Sequence, residues 1–167
     1  MSDNNWISLN IPDDALDSII KVINSLETRL KQFKGYKKED LHMTFFYMGK
    51  HLQTMPKEEL EKFKDYMKLY DNQNYCLDSS SISYYPEPKG KNLVILFKGD
   101  EQLMEDNKRF ENEMNKRGYT CYPFIPHITI GKVISKRRIP FNIPKIDISY
   151  ISNSLNIDGK KIDITSL

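Results

Sequence analysis

Leu41-His42-Met43-Thr44-Phe45-Phe46-Tyr47 and Pro126-His127-Ile128-Thr129-Ile130 are the two stretches on which the reading of this chain turns. Two of the three histidines open the same tripeptide, His-x-Thr, one in each half of the chain. Both runs are apolar and strand-like. Side chains of a strand alternate between faces, so a His and a Thr two apart point the same way. With six threonines in 167 residues, two such hits among three histidines arise by chance about 0.4% of the time. The bland alternative is a pair of half-buried strand histidines, each bonded to a neighbouring hydroxyl.

Around the tripeptides the same element order occurs twice. Trp6 to Ile11 alternates as a strand, with Ile7, Leu9 and Ile11 on one face and Trp6, Ser8 and Asn10 on the other. Pro12, with Asp13 and Asp14 behind it, opens a helix that keeps apolar spacing to about Lys34 and stops at Gly35. Leu41 to Met48 is the first His-Thr strand. In the second half Leu93–Phe97, Asp100–Arg117 and Pro126–Ile134 repeat strand, helix and His-Thr strand. Between them lie a helix from Pro56 to Tyr70, a strand from Tyr75 to Tyr85 and a Pro86-Glu87-Pro88-Lys89-Gly90 loop. The alternating stretch Ile143 to Ile164 is expected to form a closing hairpin turning at Asn156-Ile157-Asp158-Gly159. Such a repeat predicts an α+β chain, a single domain over residues 1–167, built as two pseudo-symmetric lobes facing across a cleft.

Composition narrows the function. Hydrophobic content of 39% with 29% charged residues is ordinary for a soluble globular chain, and a net charge of +2 does not mark a protein that coats nucleic acid. No apolar run approaches the roughly 20 residues that span a bilayer, and the start carries no signal-like segment. Cys76 and Cys121 lack metal-ligand spacing and are expected as free thiols in a reducing cytoplasm, or nucleus.

Face to face, the two pairs would supply what phosphodiester cleavage needs. One imidazole takes a proton from the attacking oxygen and another gives one to the leaving oxygen, roles open to a group of ordinary pKa near 6.5. The Thr44 and Thr129 hydroxyls can donate to the non-bridging oxygens as these gain charge. Zinc normally takes three or four protein ligands, and neither stretch offers others on the same strand face. No metal and no cofactor is expected. His51, in Lys50-His51-Leu52-Gln53, reads as a surface turn residue.

These residues resemble the two-histidine (2H) phosphoesterase superfamily and its LigT-like branch, whose hallmark is a pair of His-x-Thr/Ser motifs flanked by hydrophobic residues. Trp6-Ile7-Ser8-Leu9-Asn10-Ile11-Pro12, Tyr84-Tyr85-Pro86 with Leu93-Val94-Ile95-Leu96, and Ile148 through Ile164 are similar to the family's remaining strands. The resemblance implies a bilobal pseudo-two-fold fold, two antiparallel-rich sheets facing a central cleft with helices outside. It implies His42 and His127 as catalytic acid and base, and Thr44 and Thr129 as phosphate-binding. Bacterial ligase-like members often carry an arginine soon after the second motif; here Gly131-Lys132-Val133 stands instead.

The expected partner is a nucleotide or oligonucleotide with a 2′-5′ or cyclic phosphodiester, bound by a monomer without membrane contact. The activity implied is a phosphodiesterase on 2′-5′-linked or cyclic nucleotides. The alternatives are an RNA 2′,3′-cyclic phosphodiesterase or 2′-5′ RNA ligase and, in another class, a non-catalytic RNA- or nucleotide-binding module. Further cleft candidates are Asn10 with Ser8, Phe46, Tyr84, Tyr85 and Phe124, with Tyr122 beside the last. Aromatics there could stack bases, with core packing as the alternative and the favoured one for Phe46. Strand alternation places Phe46 on the His42 face and Gly131, leaving room for ligand, on the His127 face. Lys136-Arg137-Arg138 could steer phosphates, but a solvated turn is the default reading.

Overall fold

A computed structural model describes residues 4–70 and 73–159. Its element order is β1 (Asn5–Leu9), α1 (Asp13–Arg29), β2 (Phe33–Gly35), β3 (Met43–Gly49), α2 (His51–Thr54), α3 (Lys57–Met67), β4 (Tyr75–Tyr85), β5 (Asn92–Gly99), α4 (Glu101–Lys116), β6 (His127–Val133), β7 (Ser149–Ser152) and β8 (Leu155–Gly159).

The repeated pattern explains the architecture. The strands form one curled antiparallel sheet in the order β7-β4-β5-β6-β3-β1-β8, with β2 paired to β6. Read outward from the β6–β3 junction, β5 on one side answers β1 on the other, and α4 answers α1. Between the halves, β3 meets β6 at a single residue pair, Ile128 opposite Met43, and β2 pairs with β6 beyond it.

Both long helices follow from local chemistry. α1 has Asp13 and Asp14 in its first turn, where the helix dipole favours anions, and buries Ala15, Ile19, Ile23 and Leu26 at helical spacing. Asp100 caps α4 by accepting from Leu103 N at 2.8 Å, and Gly118 follows the helix at φ +84°, a conformation glycine adopts without penalty. The core is aromatic at α4. The Phe110 ring lies 5.3 Å from Phe45, 5.1 Å from Phe46 and 5.6 Å from Tyr70. Each such pair adds about 0.5–1.5 kcal/mol beyond burial.

Two expectations are corrected. α1 ends at Arg29, not Lys34, because Phe33 to Gly35 leave the helix to pair with β6, and Phe33 is buried there. Tertiary pairing overrides the helical pattern. The closing strands are no hairpin either. The stretch 156–159, expected as a turn, lies in strand β8 (Leu155–Gly159). It pairs with β1, while β7 pairs with β4 at the opposite edge of the sheet. The stretch from 160 to 164 lies outside the described residues. Residues 153 and 154 alone link the two edges, a span of at most about 11 Å from Ser152 to Leu155. The sheet therefore curls until its edges nearly meet at that end.

Candidate active site

The Met43–Ile128 pair organises the site. Both residues are the middle members of their tripeptides, and both side chains are fully buried on the core face. Antiparallel pairing then sets His42 across from Thr129 and Thr44 across from His127. All four side chains project to the other face, where each is part-exposed. Directly opposed residues have Cβ atoms about 4.5–5.5 Å apart. One imidazole and one hydroxyl from each half thus share one patch, related by a pseudo-two-fold axis through the pair.

The two imidazoles are oriented alike. Nδ1 of His42 lies 3.1 Å from the Asp40 carbonyl oxygen, and Nδ1 of His127 lies 2.6 Å from that of Ile125. A carbonyl accepts, so Nδ1–H is the donor and each neutral ring turns an Nε2 lone pair outward. An aromatic ring flanks each imidazole: Trp6 at 5.0 Å from His42 and Tyr85 at 4.5 Å from His127. Burial pushes the His127 pKa below the ordinary histidine value. The Ile125 carbonyl partly offsets this, and positive charge on His42 lowers it further. Among the described residues, no protein hydrogen bond engages the Thr44 or Thr129 hydroxyl.

A second symmetry is less obvious. β1 pairs with β3 at Ile7↔Phe46 and then Ser8↔Thr44, passing over Phe45. β5 pairs with β6 at Leu93↔Gly131 and then Val94↔Thr129, passing over Ile130. A bulge therefore follows the threonine in both copies. Each bulged carbonyl has a donor: Asn107 Nδ2 at 2.8 Å from Phe45 O, and Tyr36 N at 2.8 Å from Ile130 O. The bulges reset the alternation. Tyr47 pairs with Trp6, two residues from Ser8, and so joins the face of Thr44. Phe46, expected there, instead faces Ile7 and packs into the core at 6% exposure, bordering the cleft from below.

The cleft has a volume of about 240 Å³ and is walled by Thr44, Tyr47, Tyr85, Tyr122, Phe124 and His127 among others. Tyr85 and Phe124 thus stand where the sequence placed them. Tyr84 does not. Its hydroxyl donates to Ile139 O at 2.7 Å and accepts from Ile139 N at 2.8 Å, on the far side of β4 from its neighbour. Asn10 is also engaged elsewhere: its Oδ1 accepts from Ser152 Oγ, Asn153 N and Ser154 N at 2.8, 2.8 and 3.0 Å, fastening the link between β7 and β8.

Gly131 leaves no room for ligand, since a Cβ there would meet Lys34 O at 2.3 Å and the Phe33 ring at 2.5 Å. Arg138 is no free turn residue; it donates to Gly90 O, Pro86 O and Glu87 Oε2 and strings the Pro-rich loop to the 135–139 segment. His51 begins a short helix, with its ring 4.4 Å from Tyr119. Sequence reasoning passed over Trp6 and Tyr47. The signal for Trp6 was an aromatic on the polar face of β1; Tyr47 had none, because a bulge decides its side. No cluster of three or more His, Cys, Asp or Glu arranged to hold a metal occurs among the described residues, and none of their helices is long and apolar enough to cross a membrane.

Neither a family model nor a curated protein sequence matches this chain. Solved structures do. TT0787 of Thermus thermophilus is similar at TM-score 0.69 and 15% identity, over 92% of this chain and 86% of that one. A protein described as a phosphoesterase gives 0.70 and 14%, over 93% and 86%. Escherichia coli LigT with 3′-AMP gives 0.67 and 14%, over 94% and 87%; LigT has also been solved with NADP+ and with ATP. At these identities the likeness concerns the fold. Over nearly its whole length the chain, built on one curled antiparallel sheet, has the LigT-like fold.

Proposed function

We infer that the chain is a metal-independent phosphodiesterase that cleaves 2′-5′-linked or cyclic nucleotides with its paired imidazoles. The observation that carries this reading is the Met43–Ile128 pairing, which gathers two outward Nε2 atoms and two unengaged hydroxyls on one surface. The nucleotides bound to LigT of the same fold support a nucleotide as substrate.

His127, held below the ordinary histidine pKa, is neutral near pH 7 and serves as the base. On a 2′-5′ linkage its Nε2 takes the proton of the adjacent 3′ hydroxyl, which attacks phosphorus. His42, protonated at Nε2, gives its proton to the departing 5′ oxygen. The Thr44 and Thr129 hydroxyls donate to the non-bridging oxygens as charge gathers there. The products are a 2′,3′-cyclic phosphate and a 5′ hydroxyl. On a cyclic phosphate, water replaces the 3′ hydroxyl as nucleophile and a ribose oxygen departs.

The test is a substrate panel in EDTA: 2′-5′ oligoadenylate, cyclic dinucleotides and an RNA with a 2′,3′-cyclic end. Turnover of either of the first two, lost in His42→Ala and His127→Ala with folding intact, is the expected result. Turnover of the RNA end alone would transfer the chain to RNA-end processing. Folded protein that turns over none of the three would sink the reading.

A further inference from the structure

The same sheet carries a group of cations that no acidic residue neutralises among the described residues. Lys34 of β2 stands directly opposite Lys132 of β6, and both are exposed. Like charges placed so on paired strands repel. Lys132 also walls a groove of about 490 Å³ together with Lys91, Val133, Ile134, Ser135 and Lys136. Among the described residues none of Lys34, Lys91, Lys132 and Lys136 forms an ion pair with a carboxylate. Glu27, which reaches the end of β2, accepts instead from Gly35 N at 3.4 Å. Lys91 is steadied by donating to Ser135 O. In a chain of net charge +2, three such lysines around one groove, with Lys34 beside Lys132, are a local feature.

The bulge at Ile130 joins this groove to the catalytic face. Thr129 pairs with Val94 and Lys132 with Asn92, and Asn92 and Val94 lie two apart on β5. Lys132 therefore shares the face of Thr129, although in a regular strand residues three apart point oppositely. Because their β5 partners are two residues apart, the Lys132 backbone stands about 7 Å beyond Thr129. Thr129 serves the reacting phosphate. The lysines lie where a polyanion leaving the cleft would run, and an anion between Lys34 and Lys132 would relieve their repulsion.

We propose that this groove binds the phosphate backbone of a single-stranded tail, so that the preferred substrate is an oligonucleotide rather than a dinucleotide or a lone cyclic nucleotide. The proposal rests on the phosphodiesterase reading for turnover but not for binding, and two measurements separate them. The first is fluorescence anisotropy with a labelled single-stranded deoxyoligonucleotide of about twelve nucleotides, a length within reach of one small domain, which lacks the scissile linkage. The parent protein binds it with a strong salt dependence. Each phosphate contact adds about −0.7 to the slope of log K against log salt, so Lys34→Ala/Lys136→Ala reduces the slope by about 1.4. That double variant removes repelling charge and keeps the parent's melting temperature or exceeds it.

The second measurement compares kcat/KM for a 2′-5′ dinucleotide with that for the same linkage at the end of a longer strand. The longer substrate is favoured about tenfold at low salt, and the double variant abolishes the advantage while leaving the dinucleotide rate unchanged. An unchanged salt slope in the double variant, or equal rates for both lengths in the parent, overturns the proposal. No turnover of either length, with the anisotropy result intact, overturns cleavage of 2′-5′ linkages and leaves the groove standing.

Discussion

Replacing Asn107 with leucine tests the most distinctive part of the scaffold. Asn107 is 5% exposed on α4, and its Nδ2 donates to the carbonyl of Phe45, the residue passed over in the β1–β3 pairing. Leucine has a similar volume and no donor. The Phe45 carbonyl would then be buried without a partner, with the Phe110 ring 5.3 Å from the Phe45 ring closing off solvent. Leaving such a group unpaired costs about 1–3 kcal/mol. At about 2–4 °C per kcal/mol for a chain of this size, the melting temperature falls by about 2–12 °C. The strand can escape the penalty by ironing out the bulge, but Tyr47 then leaves the face of Thr44 and Phe46 turns out of the core. Either response lowers kcat/KM on whichever substrate is turned over. Asn107→Asp sets a carboxylate against the carbonyl and loses more at neutral pH. As the pH falls, the protonated acid can donate, and the gap to the parent narrows. Thermal and urea unfolding with parallel kinetics provide the assay. Parent-like melting of Asn107→Leu, within about 1 °C, would refute the argument that this bond holds the bulge.

Other outcomes follow from the site and its supports. The acid limb of the kcat/KM profile lies below the ordinary histidine pKa, because burial lowers that of His127; Tyr85→Ala uncovers the ring and moves the limb upward, and an unmoved limb contradicts the assignment. For the same reason the folded chain binds fewer protons at His127 than the unfolded chain, so this site's stability is complete above the ordinary histidine pKa and is lost as pH falls. Thr44→Ala or Thr129→Ala lowers kcat by about 10²–10³, whereas serine at either position retains most of the rate; equal losses for alanine and serine would remove the hydroxyls from the mechanism. Gly131→Ala drives a methyl onto the Lys34 carbonyl and destabilises by about 1–3 kcal/mol or more, read by urea unfolding. Asn10→Ala frees the 152–154 link and speeds hydrogen exchange in β7 and β8 with little effect on α4.

Much of this was legible because period-two patterning is strong where strands are half buried. Trp6–Ile11 and Pro126–Ile134 show it, and the doubled His-x-Thr fixed which strands had to meet. What the sequence concealed depends on partners far along the chain. β2 is three residues with no pattern of its own, recognisable only through β6. β7 and β8 alternate as hairpin strands do, yet nothing local says that they part to opposite edges. The bulges fall at Phe45 and Ile130, neither of them a glycine, so no residue type announces them. Their effect accounts for Phe46 and Tyr47 exchanging faces. Tyr84 and Tyr85 were both offered to the cleft, although neighbours on a strand must face apart. The pattern held that answer, but not which of the two would stack on His127.

The divergence of β7 and β8 also bears on how the molecule is made. A growing chain makes β1 and β4 well before residues 149–159, and each keeps one bare edge until these arrive. Asn5 must wait for Gly159. Unpaired edges recruit other chains, and pairings this distant in sequence form slowly. One segment of eleven residues, Ser149 to Gly159, closes both edges at once, so a growing chain is exposed to aggregation at both until that segment is made. A chain halted before Ser149 keeps both edges bare, whereas one halted at Ser154 has sealed β4 and leaves β1 open.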